Sequence, residues 1–585
     1  MLDGDGMILD LTGSTPLSPE NARKLNELAI ELRPLIVGFV ESISLRNMDE
    51  IDWWVTPLAS RNPFASRLFL SCCRIALLDS LLVEHKAPTE VWVDSHAMED
   101  LVSRLGSRHG ARLQIRIVYS LYLRDNVWRP VRNLLTAIFH TIMQFSCVKL
   151  LLPRSVISGT SSCIVVDTFL YTGSVREGVF HDRHFPDINQ SLTAEERAQL
   201  MYFPTFYKVR NYPRLLRQLC KLRERFLFKE DYLCLRDYLY AFGQGFRVSR
   251  IRLGGSLMLN GLSVDALLLE DIRRGWMWPS AIEALLKYCA IRRMREIGVR
   301  IERVVDWFEN QDIDRGANAG YRRYYPEIEV VGYIGFVASQ HYLCMYPTSA
   351  ELEAKVLPTK LAVMGKGFVE IVKEFCPDIV VDVAPALRYP VRPPSIVHGS
   401  ESNKLTMLVA LPVVRAEALE ILDAVRHFVQ GLEGTSLETV EKQILIKPHP
   451  ASDVPRDDTF STMAGSKARV TWVDEKLDSL LLNCDVLVSA ASSACFEALT
   501  MGVPVVVFGS CYGLTYIPIP QPIPPEQWRV CYSWEEMLSA IMEFRTNDVS
   551  AARTESTTAR LLQEEYLETV TRKGVRHLVL GVDDE

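Results

Sequence analysis

Short apolar runs, bounded by polar and turn-forming residues, alternate along most of the chain with longer stretches in which apolar residues recur at helical spacing. The first pattern suits buried strands, the second helices, and their alternation predicts an α/β fold with parallel sheets. Strand-like runs fall at residues 90–94, 112–118 and 163–170. A helix is expected at 281–297, followed by strands at 303–308, 329–334, 360–364 and 378–383. Residues 1 to about 60 read as helical, with a start at Pro19 after polar residues. Residues 190–300 are richer in helix and charge, and read as a helical insertion.

Proline, serine and glycine crowd residues 388–403, which marks a linker. A second regular series follows. Strands are expected at 405–411, 443–446, 468–472, 486–488 and 504–508, with helices at 415–432, 477–483 and 494–501. The chain therefore divides into residues 1–390, carrying the insertion at about 190–300, and residues 391–585. Two Rossmann-like halves facing each other leave a cleft, the preferred place for a ligand.

At 585 residues the chain exceeds one compact core and accommodates two or three domains. A formal net charge of -7 argues against a general nucleic-acid binder. Thirteen cysteines lie scattered without metal-like spacing, and no C-x-x-C occurs. The odd count, and no signal peptide at the N-terminus, predict a cytoplasmic protein with mostly buried thiols.

Residues 134–152 (LLTAIFHTIMQFSCVKLLL) are apolar over the length of a membrane span, but include His140, Gln144 and Lys149. Length and polarity favour a core helix, with an interfacial helix touching a membrane as the functional alternative. The basic run at residues 210–225 reads as a solvated helix face, or as contact with an anionic acceptor or membrane surface.

The chemistry concentrates at strand ends. Residues 444–450 (ILIKPHP) end in Lys447 and in His449 held between Pro448 and Pro450. Residues 489–508 place Ser492 and Ser493 directly before a helix. In open parallel sheets ligands bind at the carboxyl ends of strands. A lysine, a histidine and a serine pair at that edge suit a phosphate, because a helix start favours anions; plain N-capping is the other use of such serines. Glu497, one turn into the helix, suits a ribose hydroxyl or the helix dipole. Glu309 ends a strand of the first half and Asp167 lies within another, which makes them the candidate general base or nucleophile. Asp312-Ile-Asp314 is the spacing of a weak metal motif, and no P-loop is present.

These residues resemble a family. Residues 300–530 are similar to GT-B glycosyltransferases of bacterial capsule and O-antigen synthesis, which use CMP-Kdo or CMP-sialic-acid-type donors. The likeness rests on His449-Pro450 and Ser492-Ser493, on Glu309-Asn-Gln311, and on the segments GYIGF (332–336), YPTSAE (346–351) and LPTKLAVMG (357–365). It implies a GT-B-like layout, an acceptor-side N-terminal domain and a donor-binding C-terminal one. It further implies Lys447, His449, Pro450, Ser492, Ser493 and Glu497 around a CMP-linked donor, Glu309 and Asp167 near the reacting hydroxyl, and no metal or cofactor beyond the nucleotide sugar. The partners expected are a glycan or lipid-linked glycan acceptor, with peripheral contact to the inner membrane. A CDP-glycerol- or CDP-ribitol-type phosphotransferase shares the K-P-H-P segment and paired serines. A UDP-sugar epimerase and a catalytically silent glycan-assembly scaffold are further readings.

Overall fold

Three parallel sheets follow one another along the chain. The computed structural model describes residues 7–152, 162–389, 404–450, 454–456, 468–521, 523–548 and 557–582. The first sheet has strands β1 (Ile8–Asp10), β2 (Glu90–Val93) and β3 (Gln114–Ile117). Around it pack α1 (Pro19–Ser44), α2 (Leu68–Val83) and α3 (His96–His109). Helix α1 starts where the Ser18 side chain accepts from the Asn21 amide, with Pro19 in the first turn. Helix α2 lies at the centre of this unit, and Cys72, Cys73, Leu77 and Leu78 on it are fully buried.

A continuous helix, α4 (Tyr119–Leu151), comes next. Expected in the core over 134–152, it instead turns its apolar side outward, and only 22% of its most apolar window is buried. The reason lies on its inner face, which is polar. Asp125 pairs with Arg67 at 2.8 Å, Arg129 donates to the Ala65 carbonyl at 2.8 Å, and Gln144 accepts from Lys229 at 2.7 Å.

The second sheet contains β4 (Ser162–Leu170), β5 (Leu200–Phe206), β6 (Arg300–Trp307), β7 (Glu329–Ile334), β8 (Lys360–Val363) and β9 (Val381–Val383), in spatial order β9-β8-β7-β6-β4-β5. Strand β5 falls inside the stretch expected to be a helical insertion. Pro204 disguises it, and proline is tolerated here because β5 is the sheet edge. Helices α5 (Tyr212–Leu219), α6 (Leu235–Phe242), α7 (Pro279–Glu296) and α8 (Asp312–Tyr324) complete this unit. Helices α7 and α8 meet so closely that a Cβ on Gly316 would stand 2.5 Å from the Ala284 carbonyl oxygen.

The third sheet contains β10 (Lys404–Ala410), β11 (Glu441–Lys447), β12 (Ala468–Trp472), β13 (Val486–Ser489), β14 (Val505–Phe508) and β15 (Trp528–Cys531), in spatial order β12-β11-β10-β13-β14-β15. Its helices include α9 (Arg415–Gln430) and α10 (Ala494–Thr500). The strands are nearly continuous in apolar residues, as expected where helices cover both faces. The α/β layout of two large Rossmann-like sheets is the one expected. From residue 390 on, the expected linker lies outside the described residues.

The chain does not end in its third unit. Helices α11 (Thr557–Tyr566) and α12 (Arg572–Leu580) lead back to the second. Glu568 donates its amide to the Met364 carbonyl at 2.7 Å, and Arg303 donates to the Leu578 carbonyl at 3.3 Å. Val575, Leu578 and Val579 join the core beneath the second sheet. A Cβ on Gly365 would lie 2.2 Å from the Tyr566 backbone, so glycine permits this passage. The expected boundary at 391 therefore separates the sheets but not the C-terminal helices.

Candidate active site at two facing switch points

Both large sheets reverse strand order once, and such a reversal opens a crevice at the strands' carboxyl ends. In the third sheet the reversal lies between β10 and β13. Ser489 at the end of β13 donates to the Ala410 carbonyl at 2.6 Å, which ties the two strand ends together. The chain then turns through Ala490-Ala491-Ser492-Ser493 into α10. The Ala494 amide donates to Ser492 Oγ at 3.3 Å. Ser493 makes no side-chain cap; its hydroxyl donates to Glu497 Oε1 at 3.2 Å. Of the expected pair, only Ser492 thus serves the helix start, while Ser493 and Glu497 form a unit one turn along.

Lys447 ends β11 and donates to the Glu475 carbonyl at 2.6 Å. His449, two residues on, is partly buried, and Pro450 is exposed. Burial pushes the His449 imidazole down to about 4, helped by the positive charges of Arg183, Lys208 and Lys447. Arg183 and Lys208 belong to the second unit, so this histidine senses the opposite wall of the cleft.

In the second sheet the reversal lies between β4 and β6. Glu309 follows β6, where Trp307 Nε1 donates to its Oε1 at 2.8 Å and Gln311 Nε2 to its Oε2 at 2.6 Å. Burial pushes its carboxyl above the ordinary range, and the Trp307 hydrogen bond and the Arg388 and Arg183 charges partly offset this. The Glu-Asn-Gln turn rests on a buried ion cluster. Glu351 pairs with Arg61 at 2.8 Å and with Arg315, and accepts from Asn310 at 3.1 Å. Asn310 adopts φ +51°, a left-handed conformation that asparagine tolerates better than most residues.

The loop after β4 adds residues that motif reading passes over. Tyr171 bonds His184 Nε2 at 3.1 Å, and the His184 ring lies 4.5 Å from that of Trp307. Burial, with Arg388 and Arg183 nearby, holds His184 well below its ordinary value, so it stays neutral. Asp182 accepts from the His184 amide at 2.8 Å and from Thr168 at 3.0 Å, and burial pushes it up to about 6. Arg388 lies over the Trp307 and Tyr389 rings, at 5.5 and 5.7 Å. The run His181-Asp-Arg-His184 was the available sequence signal, since so many ionisable groups in one loop are unusual.

Arg183 joins the two walls. Its charge acts on Glu309, on His449 and on Tyr389. Among the described residues neither Arg183 nor Arg388 forms an ion pair with a carboxylate. A cavity of about 370 Å³ opens beside them, with Tyr389, Asp478, Glu497 and Gln563 in its lining. It draws on both large units and on the returning helix α11. A larger cavity of about 740 Å³ borders α9, with Asp423, His427 and Trp534 in its lining, away from these groups.

Asp167 is not brought to the cleft. Lys287 on α7 holds both of its carboxylate oxygens, at 2.5 and 2.7 Å, and both side chains are buried. It is a structural ion pair of the sheet–helix interface. Asp312 and Asp314 do not form a metal motif either. Asp314 accepts from the amides of Glu309 and Gln311 at 3.0 Å each, and thereby shapes the Glu309 turn and the start of α8. Among the described residues no group of three or more His, Cys, Asp or Glu is arranged to hold a metal.

No curated protein matches the chain in sequence. Solved structures align over much of its length. MurG of Acinetobacter baumannii is 10% identical, covering 72% of this chain and 100% of its own, with a TM-score of 0.39. TarM is 11% identical, covering 72% and 98%, at 0.37. HepE of Anabaena in complex with UDP-glucose is 8% identical, also covering 72% and 98%, at 0.37. At such scores these likenesses bear on neither donor nor acceptor. Residues 400–516 match a family described as capsule polysaccharide biosynthesis protein, and that segment carries Lys447, His449, Ser492, Ser493 and Glu497.

Proposed function

We propose that the protein is a GT-B-type glycosyltransferase of polysaccharide biosynthesis, which moves a 2-keto acid sugar such as Kdo or a nonulosonic acid from a CMP-activated donor to a glycan acceptor. The observation that carries this reading is the approach of His449, from the third unit, to Arg183 of the second, beside the cavity that Arg183 and Arg388 line together with Glu497. A CMP-linked keto acid sugar brings a phosphate and a carboxylate close together. Arginine matches planar carboxylates and phosphates through paired hydrogen bonds, and a neutral imidazole donates one more to the phosphate. The match of residues 400–516 to a capsule biosynthesis family supports the pathway.

In the reaction, Glu309 takes the proton of the acceptor hydroxyl as that oxygen bonds the anomeric carbon. The bond from that carbon to the phosphate oxygen breaks, and CMP leaves with the electron pair. His449, Arg183 and the turn at Ser492-Ser493 offset the charge gathering on the phosphate. Such a preorganised donor contributes about 2.7–4 kcal/mol in comparable anion sites. Trp307 and Gln311 hold the Glu309 carboxylate in place for the proton transfer.

Thermal stabilisation by CMP, CDP, UMP, UDP and GDP, with wild type beside His449→Ala, tests the proposal. A ligand at 100 times its Kd stabilises by about 2.7 kcal/mol. A CMP-selective shift lost in the variant is the expected result. A UDP- or GDP-selective shift replaces the donor class, a CDP-selective one favours the glycerol- or ribitol-phosphate reading, and no shift at all leaves the silent scaffold.

A further inference from the structure

We infer that α4 is a monotopic membrane-docking helix: its exposed apolar face, rimmed by Arg132 and by the arginines of and just after α5, lies in the headgroup region of an anionic bilayer without crossing it. This goes beyond the transfer reaction and does not depend on which donor is used. Along α4 the outward positions recur at helical spacing and are large and apolar. Trp128 is 66% exposed, Leu135 61%, Phe139 59%, Ile142 56% and Leu150 81%. Val127, Val131, Ile138 and Phe145 fill the gaps between them and are exposed as well. Water-soluble helices turn their apolar stripe inward; this one is inverted.

The inward face explains why the helix does not span. Asp125, Arg129 and Gln144 are tied to the protein interior as described, and Asn133 bonds the Arg274 and Trp276 carbonyls at 3.4 and 3.3 Å. These contacts occupy one side of the helix along most of its length. A helix so held can offer a bilayer only its other side, lying flat, as interfacial helices do.

The apolar surface continues onto α6. Phe145 packs edge-on against Tyr238 at 5.9 Å, and Leu235 and Leu239 beside it are 73% and 65% exposed, with Phe246 beyond at 77%. A contiguous exposed patch of this kind marks an interaction surface. Its charge chooses the occupant. Within Tyr119–Leu151, Arg129 and Asp125 are buried, Arg124 pairs with Asp125 at 3.0 Å and Lys149 with Asp231 at 3.3 Å, and Arg132 is exposed, so most of the positive rim comes from α5. Helix α5 packs against α4 through Tyr212 and His140, 3.0 Å apart. The run through and after α5 brings Arg210, Arg214, Arg217, Lys221, Arg223 and Arg225 against Glu224 alone. This positive excess stands out in a chain of net charge -7. A second copy of the chain would bring the same basic rim into repulsion across a twofold contact, whereas anionic lipid headgroups neutralise it.

The test is co-sedimentation of the full chain with phosphatidylcholine vesicles, with and without phosphatidylglycerol. Two variants accompany the wild type: Leu135→Gln/Phe139→Gln/Ile142→Gln, and Arg214→Gln/Arg217→Gln. All five side chains are solvent-facing, so both variants should keep the wild-type melting temperature and nucleotide response. Wild type should bind the anionic vesicles. The apolar triple should lose binding at all salt concentrations, and the arginine pair should lose about 10-fold or more, with a weaker salt dependence. Three results would each overturn the proposal. They are no vesicle binding by wild type at low salt, a wild-type dimer that the triple variant abolishes without any lipid binding, and resistance of the membrane-bound protein to alkaline carbonate, which would mean that the helix spans. Failure of the nucleotide response with intact vesicle binding would sink the transferase reading alone.

Discussion

The two walls of the cleft are built differently. The wall from the third unit is local: Lys447 and His449 sit within two residues of one strand end, and Ser492, Ser493 and Glu497 within one turn of another. The wall from the second unit gathers Tyr171 and Arg183–His184 from one loop, Glu309 from a second and Arg388 from a third, more than 200 residues apart in sequence between first and last. Buried ions support this second wall, with Glu351 between Arg61 and Arg315 beneath the Glu309 turn. A local wall can be read as a motif. A gathered wall depends on a fold that must already be in place, so substitutions in it should affect chemistry and stability in separable ways.

The sharpest break of that comparison is Glu309→Gln. Turnover of a CMP-sugar should fall about 10²–10⁴-fold, the usual contribution of a general base, with the CMP-induced thermal shift retained. If CMP stabilisation disappears together with turnover, Glu309 belongs to the donor site instead. Lys287→Met should have the opposite signature. It strands a buried Asp167 carboxylate, and urea denaturation should show a loss of about 3–5 kcal/mol, while the nucleotide affinity of the folded fraction stays unchanged. Full stability in that variant would disprove the structural role given to the pair.

His449→Ala tests the local wall. We expect about a 100- to 1000-fold lower turnover and a lost CMP response, with the melting temperature of the free protein unchanged or slightly raised. The pH dependence of stability is a smaller and independent check. The folded His449 value of about 4 lies below its ordinary 6.5. Between these values the unfolded chain takes up a proton that the folded chain refuses, so stability should decline as pH falls from about 6.5 towards 4. At pH 5.5 the effect is roughly 1 kcal/mol, and His449→Gln should remove it from the urea midpoint. In the free protein the smallest effect is expected of Arg183→Gln, which should move the His449 titration upward in NMR without altering the fold, since burial is the larger cause of its depression.

Much of the third unit was legible in sequence. Its strands and helices fall within a few residues of the apolar runs, because a parallel sheet covered on both faces demands nearly continuous apolar strands. Strand β5 was hidden by Pro204, which an edge strand accepts and an inner strand would not. Asp167 and Glu309 look alike in sequence, each a carboxylate near the end of a strand. They differ in what faces them: Lys287 from a packed helix in one case, Trp307, Gln311 and two cleft arginines in the other. Helix α4 shows the same limit. Its apolar content was plain, but which side meets the protein depends on the partners of Asp125, Arg129, Asn133 and Gln144.

The amino-acid sequence by itself determined the α/β class, the alternation of elements and the placing of His449 and Ser492-Ser493 just after strand ends, because periodicity and turn chemistry act over a few residues. Only the tertiary structure decided which carboxylate is buried as an ion pair, that Arg183 and Arg388 meet the opposite wall, and that the last helix returns to the second sheet. Those outcomes depend on desolvation and on charge pairing between segments far apart in the chain, which no local pattern records.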